Sequence, residues 1–170
     1  MKKIIVIGCP GSGKSTFAKK LSKVTGITLY HLDLIYHRPD KTTVSRFEFD
    51  TSLSQILKND SYIIDGNYGR TVEWRIMECD TVFLFDLPTE VCLDGVRSRF
   101  GKKRDDMPWI EESFDPEFEE MIRNFKDCKL PEIYRLLERY GKENVTVFKS
   151  RKEADAYINV LLVNEIKTKK

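Results

Sequence analysis

Short apolar runs alternate with longer amphipathic stretches along the whole chain. The runs of strand length are Ile4–Ile7, Ile27–Leu32, Tyr62–Ile64, Thr81–Phe85 and Val145–Phe148. Continuous apolar runs are typical of parallel strands, because crossover helices cover both faces of a parallel sheet. The pattern therefore predicts an α/β fold built on a five-stranded parallel sheet.

The stretches between these runs have the length and boundary residues of helices. The predicted helices are Ser15–Thr25, Arg46–Lys58, Thr71–Glu78, Thr89–Phe100, Pro116–Lys126, Pro131–Tyr140 and Lys152–Asn164. Asp115 before Pro116 predicts an N-cap, and Gly141 after Tyr140 predicts a C-terminal cap.

Two polar segments, His37–Ser45 and Gly101–Ser113, interrupt this alternation and predict surface loops. In parallel α/β proteins such loops lie at the carboxyl ends of strands and bind ligands. Because the chain has 170 residues and neither a repeat nor a low-complexity linker, we expect one domain over residues 1–170.

The composition restricts the partners and the compartment. With 29 Lys and Arg against 27 Asp and Glu, the formal net charge is +2. This charge is too small for the protein surface as a whole to be attracted to nucleic acid or to a membrane. The cysteines are widely spaced and form no C-x-x-C pair, which argues against a zinc ribbon or a disulfide framework. This cysteine usage fits a reducing cytosol, so we expect a cytoplasmic protein. The first apolar run is too short for a signal peptide or a membrane span.

The segment GCPGSGKST, residues 8–16, has the spacing of a phosphate-binding P-loop, G-x-x-x-x-G-K-[ST]. It lies between a predicted strand and a predicted helix, where backbone N–H groups and the helix dipole converge on an anion. Lys14 is expected to contact the β- and γ-phosphates, and the Ser15 hydroxyl to bind Mg²⁺. The predicted nucleotide-binding residues here are Gly8, Pro10, Gly11, Ser12, Gly13, Lys14, Ser15 and Thr16.

Carboxylates at the ends of the predicted strands are the candidates for metal and acceptor binding. Asp65 and Asp86 both follow apolar runs, but the glycine after Asp65 leaves room for a substrate, whereas Asp86 could cap the next helix. We therefore favour Asp65 for holding Mg²⁺ through water. Asp33 ends the second predicted strand and could orient the acceptor hydroxyl. Capping is the alternative for each carboxylate, and packing is the alternative for His31 and His37 nearby.

Two groups of cations are candidates for phosphate contacts. The first consists of Arg97, Arg99, Lys102, Lys103 and Arg104. We expect these residues to belong to a lid over residues 97–114 that places arginines on a transferring phosphate, with a solvated face as the alternative. Arg70 and Arg75 form a second group that could clamp an anionic acceptor, with helix-surface arginines as the alternative.

These motifs resemble the P-loop kinases related to adenylate kinase, and most of all the bacterial DNA topology modulation proteins, the FlaR-like family. The segments that carry the resemblance are GCPGSGKST, HLDLIYHRPD, YIIDGNYGRT, DTVFLFDLP and KSRKEADAYI. The resemblance implies a three-layer P-loop NTPase fold with strand order 2-3-1-4-5, a short lid, an acceptor-side segment at residues 33–60, and a monomer.

The resemblance also implies particular roles. Asp65 falls on the metal-side aspartate, Arg70 near an arginine that grips the acceptor's phosphate, and Arg99 on a phosphate-contacting arginine. Gly95 stands where related enzymes carry an arginine that packs on adenine, and residues 149–152 are expected to pack beside the base. The resulting candidates are Lys14, Asp33, Arg99 and Arg104 for catalysis, Arg97 for the nucleotide, and Asp33, Arg70 and Arg75 for the acceptor.

The leading hypothesis is an ATP-dependent phosphotransferase that uses Mg²⁺ and a small acceptor, either a nucleotide, a sugar-like alcohol or a phosphorylated metabolite. One alternative is an ATP-dependent regulator linked to DNA topology, although the small charge and the lack of a DNA-binding motif argue against direct binding. The other is an ATPase switch that has no small-molecule acceptor and offers residues 46–58 and the lid to a partner.

Overall fold

A five-stranded parallel sheet forms the centre of the computed structural model, which describes the backbone of residues 1–168 and the side chains of residues 1–164. The strands are β1 (Lys3–Gly8), β2 (Leu29–His31), β3 (Tyr62–Asp65), β4 (Thr81–Phe85) and β5 (Val145–Phe148). Their order is β2-β3-β1-β4-β5, and every neighbouring pair is parallel. The predicted fold class and strand order are confirmed.

Helices connect the strands and cover the sheet. They are α1 (Lys14–Thr25), α2 (Leu32–Tyr36), α3 (Arg46–Leu57), α4 (Gly69–Glu78), α5 (Thr89–Arg97), α6 (Pro116–Cys128), α7 (Leu130–Arg139) and α8 (Arg151–Thr168). The sequence did not predict α2, which follows β2 directly. The sequence predicted Asp33 at the end of a strand. In the structure it lies instead in the first turn of this short helix. A carboxylate is favourable there because the first turn carries the positive end of the helix dipole.

The core lies along β1 and β4, the strands that stand in the middle of the sheet. Every residue of β4 is buried, as is every residue of β1 after Lys3. Phe17 of α1 packs edge-on against Phe83 and Phe148, with ring centroids 4.9 and 5.1 Å away. Burying a phenylalanine stabilises a fold by about 2 kcal/mol. This contact fixes α1, and with it the end of the P-loop, against the sheet.

The predicted caps and surface loops are also present. The Asp115 carboxylate accepts a hydrogen bond from the backbone N–H of Glu117 at 3.0 Å, and Gly141 has a φ of 52° after α7. Residues 98–115 connect α5 to α6 without a helix or strand, and we call them the α5–α6 segment. No helix in the described part of the chain is both long enough and apolar enough to cross a membrane.

Candidate active site

A cavity of about 1440 Å³ opens at the carboxyl ends of the strands. Its wall is formed by the P-loop, the residues that follow β2 and β3, and the α5–α6 segment. The predicted residues that line it are Pro10, Gly11, Gly13, Lys14, Ser15, Thr16, Asp33, Asp65, Arg70, Arg99 and Arg104. The predicted residues that do not line it are Gly8, Ser12, Arg75 and Arg97.

The P-loop is held tightly against α5. Gly11 has a φ of 78°, and a Cβ at this residue would lie 2.0 Å from the carbonyl oxygen of Cys92, so only glycine fits. The Lys14 ammonium donates a hydrogen bond to the Cys9 carbonyl at 2.8 Å. Burial lowers the pKa of Lys14, and the nearby Asp65 carboxylate opposes this shift. Lys14 is thus buried at the base of the cavity, beside the carboxylate predicted to be on the metal side.

Arg151, the first residue of α8, supports the P-loop and also lines the cavity. Its Nη2 donates to the carbonyls of Gly11 at 2.8 Å and Val91 at 3.0 Å, and its Nε donates to Ser12 at 3.3 Å. The sequence predicted only packing beside the base for this segment. The carbonyl partners of Arg151 carry no sequence signature, so its support of the P-loop could be seen only in the structure.

Asp65 lies at the end of β3 and is 4% exposed. Its Oδ2 is 2.8 Å from Nδ1 of His31, and since an ionised carboxylate has no proton to give, Nδ1 carries the proton. Oδ1 of Asp65 is buried and has no hydrogen-bond partner among the described residues. This orphaned oxygen and the Ser15 hydroxyl, which lines the same cavity, are hard oxygen donors that suit Mg²⁺.

Asp86, the other carboxylate weighed for the metal, lies elsewhere. It accepts hydrogen bonds from the Tyr134 hydroxyl at 2.9 Å and from the Lys149 ammonium, and it does not line the cavity. It therefore connects β4 to α7 and the end of β5, and it does not cap α5, whose N-terminus has no side-chain cap.

Asp106, on the α5–α6 segment, is a site residue that the sequence did not indicate. It is 5% exposed, and Arg104 donates to both of its oxygens, from Nε at 3.0 Å and from Nη2 at 2.9 Å. Burial opposes ionisation, but the hydrogen bonds from Arg104 and Ser15 hold the pKa of Asp106 well below its usual range. Arg104 also donates to Glu111 at 2.5 Å, so the structure pairs this predicted catalytic arginine with two carboxylates.

Arg99 and Arg97 lie on different sides of the same turn. Arg99 donates from Nε to the Gly95 carbonyl at 3.2 Å, and its buried Nη2 has no partner among the described residues. Arg97 turns away from the cavity toward Asp94 and Glu119. Arg97 and Arg99 are two residues apart and so face different directions. The contact of Arg97 with the nucleotide stays a prediction.

Asp33 lines the cavity next to Tyr68. The Tyr68 hydroxyl donates to its Oδ1 at 2.8 Å. Burial raises the pKa of Asp33, and the hydrogen bond from Tyr68 partly offsets this rise. His37 meets Trp109 of the α5–α6 segment edge-on, with ring centroids 4.8 Å apart. The segment therefore reaches across the cavity to the residues that follow β2.

The two arginines predicted to clamp an acceptor differ in position. Arg70 lines the cavity and forms a bidentate pair with Asp50 of α3, with Nη1 to Oδ2 at 2.9 Å. Arg75 is 0% exposed and donates to the carbonyls of Gly66 at 2.7 Å, Asn67 at 2.5 Å and Tyr68 at 3.2 Å. Burial lowers the pKa of Arg75 to about 10. Its guanidinium binds the loop after Asp65 and does not line the cavity, so the predicted role of Arg75 at the acceptor has no support in its position.

Comparison with known proteins gives one related sequence. No protein-family model matches the chain. The adenylate kinase of Pseudothermotoga lettingae is 24% identical over 142 residues, which cover 79% of this chain. The match covers 64% of that enzyme, so the chain spans less than two thirds of the relative's length.

Solved structures with the same architecture cover nearly the whole chain. Shikimate kinase from Acinetobacter baumannii, in complex with shikimate, has a TM-score of 0.62 at 16% identity and covers 96% of this chain and 94% of its own. A gluconokinase from Sinorhizobium meliloti has a TM-score of 0.57 at 11% identity, with 98% and 93% covered. Shikimate kinase from Aquifex aeolicus has a TM-score of 0.54 at 18% identity, with 97% and 96% covered. Together with the strand order, these likenesses show an α/β P-loop NTPase fold.

Proposed function

We propose that this protein is an ATP-dependent kinase that transfers the γ-phosphate of ATP to a small acceptor. The observation that carries the proposal is the convergence, in one cavity, of the P-loop lysine Lys14, the half-buried carboxylate Asp33 and the arginine Arg99. A nucleotide-dependent switch needs a P-loop, but it does not need a second carboxylate placed to orient an acceptor hydroxyl.

Each of these residues has a chemical part in the transfer. The Lys14 ammonium is bonded to a loop carbonyl and can exchange this bond for a phosphate oxygen. The buried Nη2 of Arg99 has an unused donor, which can neutralise charge on the transferring group. Asp33, once ionised, accepts the hydrogen bond of the attacking hydroxyl and orients it. Arg104 can contact the same phosphate as Arg99 when its hydrogen bonds to Asp106 and Glu111 are released.

The residues present also fit Mg²⁺. Ser15 would bind the ion directly, and Asp65 would hold it through water with the oxygen that has no partner. When bound, Mg²⁺ would neutralise negative charge on the phosphates.

The α5–α6 segment acts as the lid in this proposal, within the span 97–114 expected from the sequence. It carries Arg99, Arg104 and Asp106 over the P-loop and reaches His37 through Trp109. Residues 33–60 then form the acceptor side of a single monomeric domain. Closure of such a segment excludes water from the transferring phosphate.

The acceptor is expected among two chemical classes. The relatives are named for adenylate, a nucleotide, and for shikimate and gluconate, which are hydroxylated acids. Asp33 serves either class, since both offer an oxygen nucleophile. No feature of the cavity favours a link to DNA topology, and the net charge of +2 gives no basis for direct DNA binding.

A coupled assay of ADP release over nucleoside monophosphates and small hydroxylated acids tests the proposal. We expect ADP formation that depends on one of these acceptors, and a loss of about a hundredfold or more in Lys14→Ala. Lys23→Ala is the matched control, because this lysine is exposed on the same helix and does not line the cavity. Equal turnover by Lys14→Ala would overturn the P-loop assignment. ADP formation that no acceptor stimulates would favour the switch instead.

A further inference from the structure

Three potential metal ligands from separate parts of the chain meet beside the P-loop. They are His31 at the end of β2, Asp65 at the end of β3 and Asp106 on the α5–α6 segment, and one ligand atom of each lies within 4.8 Å of the other two. Two of these residues are anchored on the rigid sheet. The third belongs to a segment without regular structure.

The two carboxylates in this cluster are buried. Asp65 is 4% and Asp106 5% exposed, and Oδ1 of Asp65 has no partner among the described residues. A buried carboxylate oxygen without a partner is costly, and two carboxylates at this separation repel each other unless a positive charge lies between them. Arg104 pairs with Asp106 and Lys14 lies near Asp65, but none of the described side chains donates to Oδ1 of Asp65. That oxygen is where a cation can bind.

The neighbours of the carboxylates leave room for one. His31 donates its Nδ1 proton to Oδ2 of Asp65, so Oδ1 stays available while the carboxylate is held in position. Arg104 occupies one lone pair on each oxygen of Asp106. A carboxylate has about four such acceptor sites, so Asp106 can bind a cation without releasing Arg104.

We propose that Asp65 and Asp106 jointly bind a divalent cation, so that the ion ties the α5–α6 segment to the end of β3 and closes it over the P-loop. The inference rests on the proposed function, in which this segment is the lid, and adds a ligand from the lid to the metal site. His31 acts as a positioning residue that orients Asp65. Two carboxylates and the Ser15 hydroxyl suit Mg²⁺ or Mn²⁺, which prefer oxygen donors.

Binding of Mn²⁺ to the nucleotide-free protein tests this site apart from phosphoryl transfer. Free Mn²⁺ is measured by electron paramagnetic resonance during a titration. The fluorescence of Trp109 is followed in the Trp74→Phe variant, because the chain has two tryptophans and this substitution leaves Trp109 as the remaining one. We expect saturable Mn²⁺ binding that changes Trp109 emission, and competition by Mg²⁺. Asp106→Asn should weaken the affinity at least about tenfold, and Asp65→Asn should do the same.

Asp105→Asn is the matched control. It removes the same charge one residue away, from a side chain that is 87% exposed and pairs with Lys19 at 3.2 Å. The Mn²⁺ affinity of this variant should stay within about twofold of that of the parent protein. Asp106→Ala gives the same test if the asparagine variant does not fold.

Two results would overturn the proposal. One is the absence of saturable Mn²⁺ binding to the nucleotide-free parent protein at millimolar concentration, and the other is an unchanged affinity in Asp106→Asn. A gain in ATP affinity in Asp106→Asn with unchanged Mn²⁺ binding would instead identify Asp106 as an internal anion that competes with phosphate. Because ADP release is measured separately, the kinase proposal can stand when the cation proposal fails.

Discussion

Nη2 of Arg151 donates a hydrogen bond to the carbonyl oxygen of Gly11 at 2.8 Å, which ties the start of α8 to the middle of the P-loop. The same guanidinium binds the Val91 carbonyl of α5 at 3.0 Å. The loop is thus held from two elements distant in sequence. A P-loop fixed in this way presents its N–H groups to phosphate without first having to be ordered.

Gly95 of α5 makes this arrangement possible, and Gly95→Ala should disrupt it. A Cβ at this residue would lie 2.0 Å from the Gly11 carbonyl oxygen and 2.4 Å from Nη2 of Arg151. Because backbone must move to relieve the overlap, we expect ATP affinity to fall at least about tenfold, at a cost of about 1–3 kcal/mol of folding stability. Calorimetric titration with ATP measures the first effect, and thermal unfolding the second.

Gly69→Ala is the control for this substitution. A Cβ at Gly69 would have no heavy atom within 4 Å, and the residue does not have a positive φ. Its ATP affinity should match that of the wild type. Equal affinities in all three proteins would show that α5 does not set the shape of the loop.

Substitutions of Arg75 and Arg70 should have different effects: the first should lower folding stability and the second should weaken substrate binding. Arg75→Met leaves the buried carbonyls of the loop after Asp65 without their donor, and each unpaired buried group costs about 1–3 kcal/mol. We expect urea unfolding to show a loss of at least about 3 kcal/mol. Arg70→Ala removes an exposed ion pair with Asp50, and such pairs contribute at most about 1 kcal/mol.

The acceptor KM gives the second half of this test. We expect Arg70→Ala to raise the KM, because the guanidinium lines the cavity, while the unfolding transition stays close to that of the wild type. A stable Arg75→Met protein would contradict the structural role given to Arg75.

The sequence predicted what is encoded locally. The sheet follows from apolar runs, and the P-loop from the spacing of Gly8, Gly13 and Lys14 within one strand–turn–helix unit. Arg75 and Asp106 could not be assigned this way. The carbonyl partners of Arg75 lie in the irregular loop after Asp65, and Asp106 itself lies on an irregular segment that folds back onto the sheet. Arg75 donates to backbone carbonyls, which every residue type has and which therefore leave no signal in the sequence. Asp106 is buried, although the segment around it is charged and was expected to be exposed.

The turn at the end of α5 offers a direct test of the lid. Arg99→Ala should lower the rate of ADP release about a hundredfold, since its buried, incompletely bonded guanidinium faces the cavity. Arg97→Ala makes the same chemical change two residues earlier, on a side chain that pairs with Asp94 and Glu119. Its rate should stay within about threefold of the wild type. Steady-state kinetics at saturating ATP decide the matter, and equal losses in both variants would refute the separate roles of the two arginines.

The hydrogen bond from Tyr68 to Asp33 predicts a change in the pH dependence of the reaction. Burial raises the pKa of Asp33, and the Tyr68 hydroxyl lowers it. Asp33 orients the acceptor only when ionised, so kcat/KM falls as the pH drops through this pKa. The other charged groups that act on Asp33 are Asp65, His37, Lys14 and Arg99. The substitution leaves these groups in place, so Tyr68→Phe should raise the pKa of Asp33 further and move the acidic limb of the kcat/KM profile to higher pH.

Tyr36→Phe is the control for the pH profile. Tyr36 packs edge-on against Tyr68, with ring centroids 5.2 Å apart, and also lines the cavity. Among the described residues, the side chain that donates a hydrogen bond to Asp33 is Tyr68, and Tyr36 makes no such bond. The acidic limb should therefore stay where it is in the wild type. A limb that does not move in Tyr68→Phe, or that moves to lower pH, would show that a group other than Asp33 must be ionised for the transfer.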